Sequence, residues 1–463
     1  MTKRWQIVLL WSILVAGLVM HVIFWMNKKG MHYPDEIFQY IEPAFVKLRG
    51  FGWLPWEFDR GVRNWTLIAL YGGLMKIFMA FGAEGHWLHR LISLHNTILA
   101  LAIVPACWRL GRLYGGELAG WTAAALGALY PPIVYFTPHP LSEVPAMVLS
   151  TWGLVLWLEG RGKEKAGETR YAFLAAVLLG LSVVMRFFSA MLLIVPCLDY
   201  AVRLVWRPKT ALAFFLGALV PIAVLGISDW VTWGAPFHSA VEYFRYNILE
   251  WGNADHGVSP WSQYFLWSWQ RVNWGFIVFA PFFILGLWRT RLLALTGAFC
   301  LAVLSLIAHK EERFMVSLTP LFLVTFAAGL AVAGGWLKDR LRYTVPAAVL
   351  SSAVLVATGG YGVSKLEWHW LGGYFDAQAW VGQQKDVTGC MFTGRIHLSG
   401  GATTINRNVP MDSYQSQLGR NPLFNYFIFP KDSGDARMAA TRHWIEKARI
   451  DEMIVYQKPP PPR

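Results

Sequence analysis

The sequence predicts an all-α polytopic membrane protein with a small α/β domain at its C-terminal end. Three observations lead there. Of 463 residues, 55% are hydrophobic and only 15% charged, too few charges to cover a soluble surface of that size. The apolar residues are clumped into near-continuous runs, as at 7–26, 91–106, 211–227 and 292–308, each close to the length a bilayer core requires. From about Ser364 the runs shorten and Asp, Asn and Gly enter, so the chain changes character.

Bilayer-length arithmetic gives about eleven spans. They fall near 5–26, 89–108, 118–136, 144–159, 171–185, 190–206, 210–227, 273–288, 292–308, 315–334 and 344–361. The first follows Lys3 and Arg4, ends at Asn27-Lys28-Lys29 and lacks a small-residue cleavage site, which reads as a retained span rather than a signal peptide. Segment 65–81 is apolar but interrupted by Gly72, Gly73 and Lys76, and whether it crosses fixes the orientation of everything after it. If it does not cross, the loops at Arg109/Arg112, Arg161/Lys163/Lys165/Arg170, Arg207/Lys209, Arg289/Arg291 and Lys338/Arg340/Arg342 share the side of Lys3 and Arg4. If it does, all of them land opposite. The positive-inside rule selects the first arrangement, with a cytoplasmic N-terminus and 65–81 as an interfacial or juxtamembrane helix.

The outside then carries 27–88, turns at 137–143 and near Arg186, a long loop at 228–272, the turn at 309–314 and the tail. In the tail, 425–429 reads as a strand, 436–447 as a helix and 453–456 as another strand, a β-α-β-like unit. The expected domains are a membrane part, 1–362, whose first extracytoplasmic loop is 27–88, and an extracytoplasmic α/β domain, 363–463. The proline run 459–462 is expected to be disordered, and no internal repeat is visible. The net charge of +13 is spread over short loops and forms no stripe, so it serves topology and anionic lipid headgroups rather than nucleic acid. Cys107, Cys197 and Cys300 lie in or beside apolar spans and Cys390 stands alone, without metal-ligand spacing or a disulfide framework.

Ionisable residues at span ends are costly, so their positions inform. They gather on the predicted outer side. Tyr33-Pro34-Asp35-Glu36-Ile37-Phe38-Gln39 opens a helix, with Pro34 suited to its first turn and the acids to its N-terminal dipole end. Asp35 and Glu36 either decorate that helix start or supply a general base for a sugar hydroxyl. Pro138-His139-Pro140-Leu141-Ser142-Glu143 is a short turn in which Ser142 and Glu143 either cap the next helix or serve a site. His309-Lys310-Glu311-Glu312-Arg313-Phe314 sets five ionisable residues between two apolar spans. Lys310 and Arg313 there could hold a phosphate, and Arg186 suggests the same. Arg245 and Arg271 are weaker candidates, and Asp229 either is structural or orients an acceptor.

Pro34-Asp35-Glu36 with Gln39 and Glu42-Pro43-Ala44 resembles the first-loop signature of the glycosyltransferase family 22 mannosyltransferases, which build GPI anchors and dolichol-linked oligosaccharides. Phe51-Gly52-Trp53-Leu54-Pro55-Trp56-Glu57-Phe58 with Arg63 is similar to the family's next stretch. His309-Lys310-Glu311-Glu312-Arg313-Phe314 resembles its late His-Lys-Glu-x-Arg-Phe motif, and Asp229 with Trp233-Gly234 corresponds more loosely to another. The family often has His directly before Pro-Asp-Glu, where this chain has Tyr33, with His32 one residue earlier.

The resemblance implies a GT-C fold, a polyprenyl- or dolichyl-phosphate-mannose donor, and inverting transfer to a glycan or glycolipid acceptor. It implies Asp35 as general base, with Lys310, Arg313 and Arg186 binding donor phosphate. Glu36, Gln39, Glu143, His139, Asp229 and His309 are the expected substrate-binding residues. No metal or cofactor is required, because protein cations can neutralise the phosphate. A transferase of another lipid-linked sugar is the near alternative. A transporter or flippase is the distant one, which would place its polar residues at the bilayer midplane, often with inverted repeats. The expected location is a bacterial inner membrane with a periplasmic site, or the ER membrane with a lumenal site in a eukaryote. The sequon Asn64-Trp65-Thr66 does not decide between them.

Overall fold

The computed structural model describes residues 3–163, 165–336, 341–366, 371–394, 396–414 and 421–459. Lys338, Arg340 and the prolines at 460–462 lie outside the described residues. Each predicted span coincides with helix, from Lys3–Asn27 to Leu341–Ser364. Six described helices are long and apolar enough to cross a bilayer on their own, and up to seven if Gln263–Val272 and Gly275–Arg289, bent by 117°, form one span.

The longest apolar stretch, His86–Leu129, is not one rod. Gly115 (φ −141°, ψ 21°) and Gly116 (φ 66°, ψ −160°) interrupt it, the latter in a region glycine occupies freely. Its arms fold back on one another: a Cβ at Gly127 would lie 3.2 Å from Cys107 Sγ, and one at Gly120 3.1 Å from the Trp108 carbonyl oxygen. The turn falls just past Arg109 and Arg112, where the sequence placed a loop. Elsewhere small residues let backbones meet. A Cβ at Gly286 would collide with the Thr325 carbonyl and one at Gly329 with that of Phe282, so helices Gly275–Arg289 and Thr319–Trp336 touch without side chains between them.

Thr66–Ala80 is a helix of 15 residues, short of a full crossing. It buries Leu67, Ile68, Tyr71 and Met75 in one core with Tyr40, Ala44 and Phe45 of the first loop. The segment 228–272, expected to be a loop, is largely helical. The preceding helix runs on as Pro208–Trp233, and His238–Phe244 and Gln263–Val272 follow. Asp229 therefore lies within a helix, one turn from its end.

The tail forms a five-stranded sheet of β1 (Cys390–Phe392), β2 (Met411–Ser413), β3 (Tyr426–Pro430), β4 (Ile445–Ile450) and β5 (Met453–Gln457), ordered β2-β1-β3-β5-β4. β1 runs parallel to β2 and β3, whereas β5 is antiparallel to both its neighbours. The expected β-α-β unit is thus corrected. The helix Gly434–Thr441 stops early, His443 takes φ 55°, and the chain returns as β4. Glu446, Lys447, Ala448 and Arg449 are good helix formers, but pairing with β5 across the tight turn at Asp451 (φ 49°) overrides their propensity.

Candidate active site

The first loop is shaped by Pro34, after which the chain winds into a wide π-type turn, Glu36–Ile41, continuing as the helix Glu42–Arg49. Turns of that kind recur at functional sites. Successive residues of a helical turn point about 100° apart, so Asp35 and Glu36 face different surroundings.

Glu36 is fully buried beneath the loop. Its Oε2 accepts from Lys28 Nζ at 2.6 Å, its Oε1 accepts the backbone N–H groups of His32 (2.7 Å) and Tyr33 (3.0 Å), and His139 Nδ1 lies 2.8 Å from Oε1. Burial works to raise its pKa, but His139 and Lys28 outweigh it and hold the carboxyl well below the usual range. Burial lowers the pKa of Lys28 and of His139. Glu36 and His139, expected to touch substrate, instead form a frame under the site and line none of its cavity. His32 belongs to the frame as well, 2.5 Å from the Tyr135 hydroxyl.

Glu42 is the second anchor. Its buried carboxylate accepts the backbone N–H groups of Trp53 (3.2 Å), Ala402 (2.9 Å) and Thr403 (2.9 Å), and the Thr403 hydroxyl at 2.7 Å. Gly401 sits at φ 67°, and a Cβ there would strike the carboxylate. Residues 360 positions apart are thereby tied together, and the sheet domain holds the first loop.

Above this frame lies a cavity of about 330 Å³, lined by the first loop, the turns at Ser142, Arg186 and Arg313, and residues of the 228–272 segment. Asp35 faces it, 27% exposed, and pairs with Arg313 across 278 residues of sequence. Arg313 is buried, also pairs with Glu311, approaches Glu143 at 3.3 Å and rests over the Tyr33 ring at 4.5 Å. Burial disfavours its charge, but Asp35, Glu311 and Glu143 overcome that and push its pKa well above the usual value. Arg186 contacts Glu143 at 2.8 Å and Ser142 Oγ at 3.3 Å, and packs over Phe314 at 4.9 Å. The acidic first loop and the late basic turn therefore meet in one cavity.

The other expected residues divide. Gln39 lines the cavity and donates to Glu57 Oε1 at 3.1 Å. His309 lines it with Nε2 3.0 Å from Glu311. Glu143 stands behind the wall as the common partner of Arg186 and Arg313. Lys310 is turned away: its amine donates to the carbonyls of Ser259 (3.1 Å) and Ile307, and it does not line the cavity. Asp229 is also elsewhere, accepting from the Ser239 N–H (2.8 Å) and hydroxyl (2.7 Å) at the start of the next helix. Of the weaker candidates, Arg271 holds Glu312 through two bonds (3.0 and 2.7 Å), and Arg245 pairs with Glu242.

The expectations omitted Glu57, Arg63, Trp56, Tyr243 and Tyr246, all of which line the cavity. The first three stand in the motif around Trp56-Glu57, a signal that was available. The two tyrosines come from a segment without pattern. Among the described residues no group of three or more His, Cys, Asp and Glu side chains is placed to hold a metal ion.

A second, apolar cavity of about 420 Å³ lies beside the late turn. Phe276, Phe279, Phe283 and Phe322 line it, with Arg271 and Glu312 among its few polar groups.

The Alg9-like mannosyltransferase family profile matches residues 10–364. The chain is similar to "GPI mannosyltransferase 3" of Yarrowia lipolytica, 24% identical over 412 residues, 87% of this chain and 76% of that protein. It is also similar to "GPI alpha-1,2-mannosyltransferase 3" of Bos taurus, 24% identical over 325 residues, 67% of this chain but only 57% of the relative. In structure it resembles ArnT from Cupriavidus metallidurans bound to undecaprenyl phosphate, with a TM-score of 0.63 at 12% identity over 98% of each chain. That likeness shows the GT-C fold.

Proposed function

The chain belongs to the Alg9-like mannosyltransferase family, and from that premise we propose that it moves mannose from a polyprenyl- or dolichyl-phosphate carrier to a hydroxyl of a glycan or glycolipid, inverting the anomeric centre to leave an α-mannoside. A membrane mannosyltransferase is the enzyme class of this family.

One observation carries the reading: Asp35 and Arg313 meet at the wall of a single cavity. Asp35 is the general base. The acceptor hydroxyl gives it a proton as the acceptor oxygen bonds to C1, and the C1–O bond to phosphate breaks with its electron pair leaving on the phosphate. Arg313 and Arg186 meet that charge with forked donors inside a partly water-excluded site. An arriving phosphate competes with Asp35 for Arg313, so donor binding frees the carboxylate for the acceptor. Protein cations neutralise the phosphate here, and no cofactor is invoked. The neighbouring cavity, walled by Phe276, Phe279, Phe283 and Phe322, suits an isoprenoid chain. A structural relative that holds undecaprenyl phosphate supports a lipid-borne donor. The charge asymmetry of the loops supports an extracytoplasmic site.

The test is transfer from radiolabelled polyprenyl-phosphate-mannose in membranes that contain the chain. Asp35→Asn is expected to lower kcat by about 10²–10⁴-fold. Unchanged turnover in that variant removes Asp35 from the mechanism, and transfer only from a nucleotide sugar removes the donor.

A further inference from the structure

The two ends of the cavity differ in chemistry. At one end Arg186 and Arg313 converge on Glu143, with Asp35 the last group in that chain of contacts. At the other, one turn beyond Asp35, Gln39 reaches Glu57, and Glu57 is followed by Arg63 at 3.5 Å. Trp56 and Tyr246 complete this second wall, their rings 4.8 Å apart at 51°. Arg60 lies over the Tyr246 ring at 4.9 Å and is paired with Glu250.

Trp56 is 39% exposed although it sits in the middle of the first loop. Glu57 is buried, and its one hydrogen bond to a described side chain engages Oε1 only. Arg63 Nε is buried without a hydrogen-bond partner among the described residues. An aromatic face flanked by a carboxylate and a guanidinium matches a pyranose ring, which has an apolar C–H face and a rim of hydroxyls. Interfacial anchoring accounts for many exposed tryptophans, but this one shares its wall with Glu57, Arg63 and Asn247.

We infer that the Trp56–Glu57–Arg63–Tyr246 wall is the acceptor subsite, and that it takes a hexopyranose stacked on Trp56 with its hydroxyls held by Glu57 and Arg63. The inference rests on reading Arg186 and Arg313 as the phosphate side. Inverting displacement brings the nucleophile to C1 from the face opposite the leaving group. With a phosphate on the two arginines, the acceptor is assigned to the stretch of the cavity wall that carries neither of them. Glu57 and Arg63 orient the sugar ring and take no part in proton transfer.

The test uses the full chain in phosphatidylcholine nanodiscs, without donor, and a panel of methyl hexopyranosides as probes, read by saturation-transfer NMR. Wild type is expected to bind at least one methyl hexopyranoside, with saturation strongest on the ring C–H protons. Trp56→Leu is expected to bind it at least about tenfold more weakly, and Trp56→Phe to recover part of the loss and the same proton pattern. Partial recovery by the conservative variant separates stacking from misfolding, and an unchanged thermal transition of Trp56→Phe checks this directly. Equal binding by Trp56→Leu and wild type overturns the assignment, as does the absence of binding by every hexopyranoside tried. If these probes bind as expected while the wild type transfers nothing from polyprenyl-phosphate-mannose, the donor reading fails and the subsite stands.

Discussion

Asp35 and Glu36 share a peptide bond, yet one belongs to the cavity and the other to the frame beneath it. Glu36 is fully buried and meets Lys28, His139 and two backbone N–H groups, which satisfies both of its oxygens. Asp35 is partly exposed and meets Arg313, a group that a phosphate can claim. A carboxylate with both oxygens engaged by buried partners holds a loop in place. A carboxylate with one exchangeable partner can do chemistry. The division of labour arises because the first is locked and the second is only poised.

The largest expected effect breaks the frame. Glu36→Gln leaves Lys28 and His139 buried beside a neutral amide, and losing one partner of a buried pair costs about 3–5 kcal/mol. The thermal transition of Glu36→Gln in nanodiscs is expected to fall sharply, while Asp35→Asn, whose partner Arg313 keeps Glu311 and Glu143, melts close to wild type. Adding Lys28→Met to Glu36→Gln removes the stranded ammonium and is expected to recover part of the loss. Equal melting of the Glu36 and Asp35 variants would erase the distinction between frame and site.

This distinction was only half legible in the sequence. Apolar runs of bilayer length mark the helices directly, and the basic pair Arg109 and Arg112 marks the fold-back completed at Gly115 and Gly116. Asp35 and the late turn stood out because charge beside a bilayer is costly. Which of two adjacent carboxylates faces the cavity depends on the pitch of the turn, and residue order does not reveal that pitch. The same holds for Lys310 and Arg313, three positions apart but facing different surroundings. The Glu42 clasp on Ala402 and Thr403 leaves no local trace, since its partner groups are largely backbone. β4 was hidden for another reason, because its helix-forming residues are overruled by pairing that only the tertiary fold supplies.

A middle-sized effect sharpens the comparison from the cavity side. Burial works to raise the pKa of Glu311, but Arg313 and His309 outweigh it and hold the carboxyl at about 2. The folded state therefore binds this proton more weakly than the unfolded chain does. The stabilisation is fully present above the ordinary carboxylate range and is lost as pH falls from about 4.5 toward about 2. Unfolding of wild type and Glu311→Gln, followed against pH, should show a gap that is constant near neutrality and closes on acidification. A gap that widens in acid would mean that the cluster does not hold Glu311 ionised.

The smallest effect is expected at Lys310, and its smallness is informative. From the sequence Lys310 and Arg313 are equal candidates as phosphate ligands, whereas Lys310 Nζ caps the carbonyls of Ser259 and Ile307, outside the cavity lining. Replacing it by Gln removes the ammonium's two contacts to backbone carbonyls, for which the amide can partly substitute, and is expected to cost about 1 kcal/mol or less in stability. The donor KM should stay within about twofold of wild type, because no interaction with the phosphate is removed. Arg313→Gln, by contrast, withdraws a forked donor from the leaving group and is expected to lower kcat/KM for the donor by about 10²-fold or more. Steady-state kinetics with polyprenyl-phosphate-mannose separates the two. A Lys310→Gln variant as impaired toward donor as Arg313→Gln would move Lys310 into the site, and the boundary between support and chemistry would have to be redrawn around it.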